Sequence, residues 1–228
     1  MRGQQELCTI LAATARDLLA ETSAKQTVRR SVELAAEHVG IELCASVALV
    51  RRSGIESVAG TSKRARRADE LQFEFEEGPC LDAIRQHRTS EVSDVAADRH
   101  YLDWSPHVVQ ETGIRSSLCL ELFTETATLG ALNLYSMHPH GFDDQARAEA
   151  TVFAALTAGA LRSAQIREGL LLSAEARGQI GEAVGMLIER HDISAEESFE
   201  MLKRASQLSN RKVHDIARQL VTSGMFPE

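Results

Sequence analysis

Near the end of the chain, in SQLSNRKVHDIARQL (206–220), Arg211 and Lys212 stand side by side, with Lys203 and Arg204 before them and Arg218 after. Residues 175–200 carry seven acidic and two basic side chains, while 201–218 carry five basic and one acidic, so the charge reverses within the tail. The spacing predicts one helix ending at Lys203 and Arg204, a turn, and another starting near Ser209 or Asn210, both good caps. That would gather four cations around the turn. Cations at the start of a helix oppose its dipole, and an anion relieves the conflict. A phosphate backbone suits the position, because a helix N-terminus also offers unpaired N–H donors. The competing reading is a solvated face, with Glu200 paired to Arg204 at i,i+4 and Asp215 between Arg211 and Arg218. The stretch holds no Phe, Tyr or Trp, so stacking on bases would fall to Arg or His214.

Cysteine is the other residue type capable of chemistry. Cys8, Cys44, Cys80 and Cys119 form no C-x-x-C and no zinc-like Cys/His spacing, so free, mostly buried thiols are expected. Cys80, in "GPC" ahead of a helical stretch, would be an activated nucleophile if the helix N-terminus lowered its pKa; a packed residue is the alternative. His138 and His140 are half a metal site with no third ligand nearby, and read as a loop. No metal or cofactor is expected. "KRARR" (63–67) reads as a solvated loop that could supplement a nucleic-acid surface.

Composition sets the scale of any site. With 228 residues, 43% of them apolar, there is enough chain for a packed core. Net charge −8 and pI ≈ 5.5 argue against coating nucleic acid or anionic membrane through bulk charge, so a binding surface must be local. Glu6, Arg16 and Asp17 interrupt the apolar residues of the N-terminal stretch, and no run reaches membrane-spanning length, so a cytoplasmic protein without a membrane partner is expected.

The elements that must position these residues follow from periodicity. Leu7, Ile10, Leu11 and Leu18, then Val28, Val32, Leu34 and Ala35, predict two opening helices. The period drops to two at 43–50 and 55–60, a hairpin, and again at 116–123 and 127–137, joined by "TET". Between the hairpins lie a helix at 80–88, a short strand near 90–94, and a loop-rich stretch from Trp104 to Gly113. Helices against a largely antiparallel sheet make an α+β domain. Leu118, Leu120 and Leu122 share one strand face, which sends Cys119 and Glu121 to the other. Asn133 and Tyr135 share a face of the next strand. With Phe75, Cys80 and Trp104 these residues are candidates to line a small-molecule pocket, the alternative being plain packing.

After Phe142 the pattern is helical and free of proline to His191. Ile166, Leu170, Ser173, Arg177, Ile180, Val184, Leu187 and His191 alternate at fours and threes, as in a coiled-coil seam interrupted at Ser173 and Arg177, and predict a homodimer; an amphipathic helix lying on its own domain is the alternative. Ser194 and Glu197 form a capping box ahead of a face made by Ser198, Met201, Leu202, Ala205 and Leu208. The last helix buries Val213, Ile216, Ala217 and Leu220.

Residues 180–225 resemble the ANTAR family, the AmiR and NasR transcription antitermination regulators. The match is carried by Ala183 to Leu187 (A-x-G-M-L), Ile193 to Leu202, Arg204 to Gln207 (RASQ), and Asn210 to Lys212 (NRK) followed by Ile216 and Ala217; Ser198 stands where many members have alanine. The resemblance implies an all-α, dimerising three-helix module that binds paired stem-loops in nascent leader RNA and so prevents terminator formation. It makes Lys203, Arg204, Ser209, Asn210, Arg211, Lys212 and Arg218 the candidate RNA contacts, and Ala183, Ala205 and Ala217 close-packing positions. Residues 25–165 resemble a GAF sensor domain, through "EEGPCLDAI" (76–84), "GIRSSLCLEL" (113–122) and "LGALNLYS" (129–136). GAF domains bind diverse small molecules or serve as dimerisation units, so no ligand is named. The implied plan is an N-terminal helix (1–24), a GAF sensor (25–165) and an ANTAR domain with its linker helix (166–228), acting as a signal-responsive regulator and not an enzyme. Two alternatives remain open: a redox enzyme or sensor using Cys80, like GAF proteins that reduce free methionine sulfoxide, although 94–113 holds no resolving cysteine; or a DNA-binding factor reading the major groove through 210–220.

Overall fold

The computed structural model describes residues 2–39, 43–125 and 127–226, with side chains from Thr9 onward. Leu7, Cys8 and Thr126 therefore lie outside the described side chains. The elements are α1 (Arg2–Ala20), α2 (Ala24–His38), β1 (Leu43–Arg51), β2 (Gly54–Gly60), α3 (Lys63–Phe75), α4 (Pro79–Gln86), β3 (Ser90–Val92), α5 (Trp104–Thr112), β4 (Ser116–Thr124), β5 (Ala127–Ser136), α6 (Asp144–His191), α7 (Ala195–Ser209) and α8 (Val213–Ser223). They form two compact units, Met1–Gln165 and Ile166–Glu228, and α6 contributes residues to both.

In the first unit five antiparallel strands are ordered β2-β1-β5-β4-β3. Strand alternation sorts the sequence onto two faces. Leu118, Leu120 and Leu122 of β4 and Leu132 and Leu134 of β5 pack with Val28, Val32, Phe153 and Leu161 from the helices. Full burial of each such leucine contributes roughly 1.5–3 kcal/mol. The opposite face carries Cys119 and Ala131, which pack with Cys80 and Ala83 of α4, and Tyr135, which packs with Ala65, Ala68 and Leu71 of α3. At Gly130 the backbone has φ +156°, and a side chain there would collide with the Ala48 carbonyl of β1. Only glycine lets β5 approach β1 so closely.

Two segments read as loops are helices. Residues 63–67 form the first turn of α3, where the Ser62 hydroxyl accepts from Ala65 N–H at 3.1 Å. Its buried face includes Asp69 and Gln72 beside Ala65, Ala68 and Leu71, so the apolar period is broken in the sequence. Residues 104–112 form α5, whose own N-cap residue, Asp103, makes no side-chain cap. The Glu77 carboxylate supplies it instead, accepting from the N–H groups of Asp103 and Trp104, both at 2.7 Å. A cap donated from a remote loop leaves no local signal.

In the second unit Ala183 and Leu187 of α6 pack with Leu202 and Ala205 of α7 and Ile216, Ala217 and Leu220 of α8. The capping box is present: Ser194 Oγ accepts from Glu197 N–H at 3.2 Å and Glu197 Oε2 accepts from Ser194 N–H at 2.8 Å. Leu208 departs from its expected place on the α7 core face and is 82% exposed. The eight-residue seam divides. Ile180, Val184 and Leu187 are taken up by this unit's own core, whereas Ile166 and Leu170 remain 48% and 64% exposed. No helix among the described residues is long and apolar enough to cross a membrane.

Candidate functional site

The basic turn is built from the end of α7 and the start of α8, and its boundaries differ from those read in the sequence. α7 continues through Ser209, so Lys203 and Arg204 lie within the helix, not at its end. Asn210 is its C-cap in the left-handed region (φ 51°), and Lys212 is the N-cap of α8. Asparagine tolerates that conformation better than most residues, and here the tolerance ends a helix instead of starting one. Ser209 likewise serves α7, donating to the Ala205 carbonyl at 2.6 Å.

The cations are not equivalent. Lys203 pairs with Glu200 at 2.6 Å and lies over the Phe199 ring, so Glu200 serves Lys203 and not Arg204. Arg218 pairs with Asp215 at 2.9 Å. Arg211 is fixed by neutral groups: its guanidinium donates to Gln219 Oε1 at 2.6 Å, its N–H donates to the Ser206 carbonyl at 3.1 Å, and its own carbonyl accepts from the Ser206 hydroxyl. Arg204 and Lys212 are exposed, and their side chains have no hydrogen bond or ion pair among the described residues. Three positive charges, on Arg204, Arg211 and Lys212, thus lack a carboxylate partner. No side chain caps α8: Asp215 and Ile216 N–H donate to the Lys212 carbonyl at 2.9 and 3.2 Å, and the N–H groups of Val213 and His214 have no partner among the described residues. Uncompensated cations beside an uncapped helix start have the charge and the donors that an anion would need. Ser206 and Gln219, which pin Arg211, carry no signal that sequence reading could have weighed.

The seven candidate pocket residues of the first unit do not share one cavity. Cys80, Trp104, Cys119, Asn133 and Tyr135 are fully buried. Phe75 lies against the His107 ring, centroids 4.6 Å apart. Asp69 of α3, also fully buried, accepts from Ser46, Ser57, Asn133 and Tyr135 at 2.5–3.0 Å. Gln72 donates to the Tyr135 hydroxyl at 3.0 Å and accepts from Cys80 N–H at 2.7 Å. Burial raises the pKa of Asp69 above the ordinary carboxylate value, against the pull of these four donors. The Cys80 thiol is also pushed up, by burial first and the Asp69 charge second, which is the reverse of an activated nucleophile. Trp104 donates its indole N–H to the Ala68 carbonyl at 3.1 Å. Glu121 stands apart, with the Thr128 hydroxyl donating to it at 2.6 Å and His87 Nδ1 at 2.8 Å, on the wall of a surface cleft. Among the described residues no cluster of His, Cys, Asp and Glu is grouped to hold a metal ion.

Comparison with known proteins follows the same division. The first unit is similar in fold to the GAF domain of a phosphoenolpyruvate-protein phosphotransferase from Coxiella burnetii (16% identity, 72% of this chain and 96% of that chain, TM-score 0.59). It is also similar in fold to two further solved structures. One is the free methionine-R-sulfoxide reductase of Neisseria meningitidis, solved with its substrate (16% identity, 70% and 90% covered, TM-score 0.54). The other is fRMsr of Staphylococcus aureus in its reduced form (12% identity, 68% and 94% covered, TM-score 0.55). No curated protein matches the chain at a significant level. The GAF domain family model matches residues 21–162, and the ANTAR domain model matches 170–221. With more than half of its length in the first match, the chain belongs to the GAF domain family and carries an ANTAR domain behind it, joining a sensor domain to the RNA-binding domain of antitermination regulators.

Proposed function

We propose that this chain is a signal-responsive antiterminator that binds paired stem-loops in nascent leader RNA in the cytoplasm and so prevents a terminator hairpin from forming. The observation that carries the reading is the α7–α8 turn. There Arg204, Arg211 and Lys212 stand without carboxylate partners in a chain of net charge −8. Low background charge limits nonspecific adhesion and leaves recognition to this one surface. Lys203, Ser209, Asn210 and Arg218 complete the contact set, the two cations among them exchanging a protein carboxylate for phosphate. In this reading residues 25–165 sense the signal and residues 166–228 present the RNA-binding helices.

The protein acts as a homodimer in this proposal. Leu170, Leu171 and Leu172 are 64–69% exposed on α6, an apolar run that water does not favour. A regulatory role is supported over a thiol-based enzyme by Cys80, which is fully buried with its pKa raised. The test is a direct comparison of binding to RNA with two adjacent stem-loops and to duplex DNA of equal length, across salt concentrations. Tighter binding to the RNA at every salt concentration is expected. Affinity for the RNA no higher than for the DNA would overturn the reading, and sedimentation of the Leu170→Asn variant as a dimer identical to the wild type would remove the dimer surface.

A further inference from the structure

Strand β4 is paired along only part of its outer side. β3 covers Ser117–Cys119, and beyond that point no strand lies on this side of β4 among the described residues, its other side being paired with β5. A cleft of about 500 Å³ occupies this position, between the free part of β4, the His87 corner after α4, and the Ala154, Ala155 and Ala158 side of α6. This volume falls in the range of small-molecule sites. Its walls are largely apolar: the Phe123 ring is 64% exposed on one side, and alanines opposite leave the room.

The buried charge in this cleft is Glu121, whose side chain is only 6% exposed. Thr128 Oγ1 at 2.6 Å and His87 Nδ1 at 2.8 Å both meet Oε1, leaving Oε2 without a partner among the described residues. A carboxylate held by one oxygen and unengaged at the other is positioned to accept from a ligand. Arg88 and Glu125, both exposed, also line the cleft and offset one another. We propose that this cleft is a binding site for a small cationic amine with an aromatic or aliphatic body, its ammonium group on Glu121 and its body between Phe123 and the alanines of α6. The proposal deepens the sensor half of the reading above and is independent of the RNA-binding half. It also gives the signal a mechanical partner, because the alanine wall belongs to α6, the helix that continues into the second unit.

The experiment is calorimetric titration of the full chain with 2-phenylethylamine, and with 2-phenylethanol and 3-phenylpropionate as neutral and anionic controls of similar shape. The amine is expected to bind one to one, at least about tenfold tighter than either control. Glu121→Gln should bring the amine down to the affinity of the alcohol while leaving the alcohol unchanged. Ala155→Trp, at an exposed helical position, should fill the cleft and abolish amine binding with the helical circular dichroism intact. Amine binding no tighter than that of the alcohol, including no binding at all, overturns the proposal, as does amine affinity unaltered by either substitution. RNA affinity measured on the same preparation separates the two readings. RNA binding without amine selectivity removes the cleft alone, and amine selectivity without RNA binding removes the antiterminator alone.

Discussion

The Tyr135 hydroxyl donates to Oδ1 of Asp69 at 2.6 Å, tying β5 to α3 across the fully buried face of the sheet. The four groups that donate to Asp69, from Ser46, Ser57, Asn133 and Tyr135, are all neutral, and burial raises its pKa. A raised carboxylate binds its proton more tightly folded than unfolded. Its favourable contribution is therefore fully present below the unfolded value and is lost as pH rises from there through the raised folded value. The stability difference between wild type and Asp69→Asn, followed by denaturant titration, should shift against the wild type over that window. A pH-independent difference would show that Asp69 titrates normally. Tyr135→Phe should cost about 1–2 kcal/mol, because it leaves the carboxylate one donor short.

The partners of the basic residues predict an order of effects on RNA affinity. Arg204→Ala and Lys212→Ala remove charges with no protein partner, and each should weaken binding about three- to tenfold and reduce the salt slope by about one. Arg218→Ala removes a cation that already faces Asp215 at 2.9 Å, so its effect should be smaller. Fluorescence anisotropy across salt concentrations reads both quantities. Equal losses for all three would mean that the protein's own ion pairs do not shape the interface.

Glu77 caps α5 from outside it, so its removal should be felt there. Glu77→Ala should destabilise the first unit by about 1–2 kcal/mol, the usual cost of a lost N-cap, with Glu77→Gln retaining most of the stability because an amide oxygen still accepts. Hydrogen exchange at Asp103 and Trp104 locates the effect. Unchanged protection in the alanine variant would exclude the cap.

In the second unit, Ser194→Ala should cost about 1 kcal/mol by removing one half of the capping box. Glu197 has its pKa lowered by the Ser194 N–H and hydroxyl. Its contribution is therefore present above the unfolded value and lost as pH falls through the folded one. Thermal unfolding of wild type and Ser194→Ala at neutral and acidic pH should show the difference shrinking in acid; a constant difference would separate the cap from Glu197.

Periodicity and local chemistry made much of this architecture legible. The alternation of Leu118, Leu120 and Leu122 assigned β4 and both of its faces, because side chains on a strand alternate whatever the rest of the chain does. Ser194 and Glu197 announced the start of α7, because a capping box closes within four residues. The cation cluster and the NRK motif placed the candidate interface near 203–212. α3 and α5 were hidden, one by a polar buried face and the other by a cap donated from Glu77. Partner choice was hidden too: Glu200 meets Lys203 at i+3, not Arg204 at i+4, and rotamers and neighbouring helices settle that choice. The sequence by itself determined which residues are apolar in which rhythm, and where the charge reverses. Only the tertiary structure decided which cations stay unpaired, that Asp69 is sealed among four donors, and that Glu121 faces a cleft where β3 stops short. Each of these depends on contacts between segments distant in the chain, and local spacing carries no record of them.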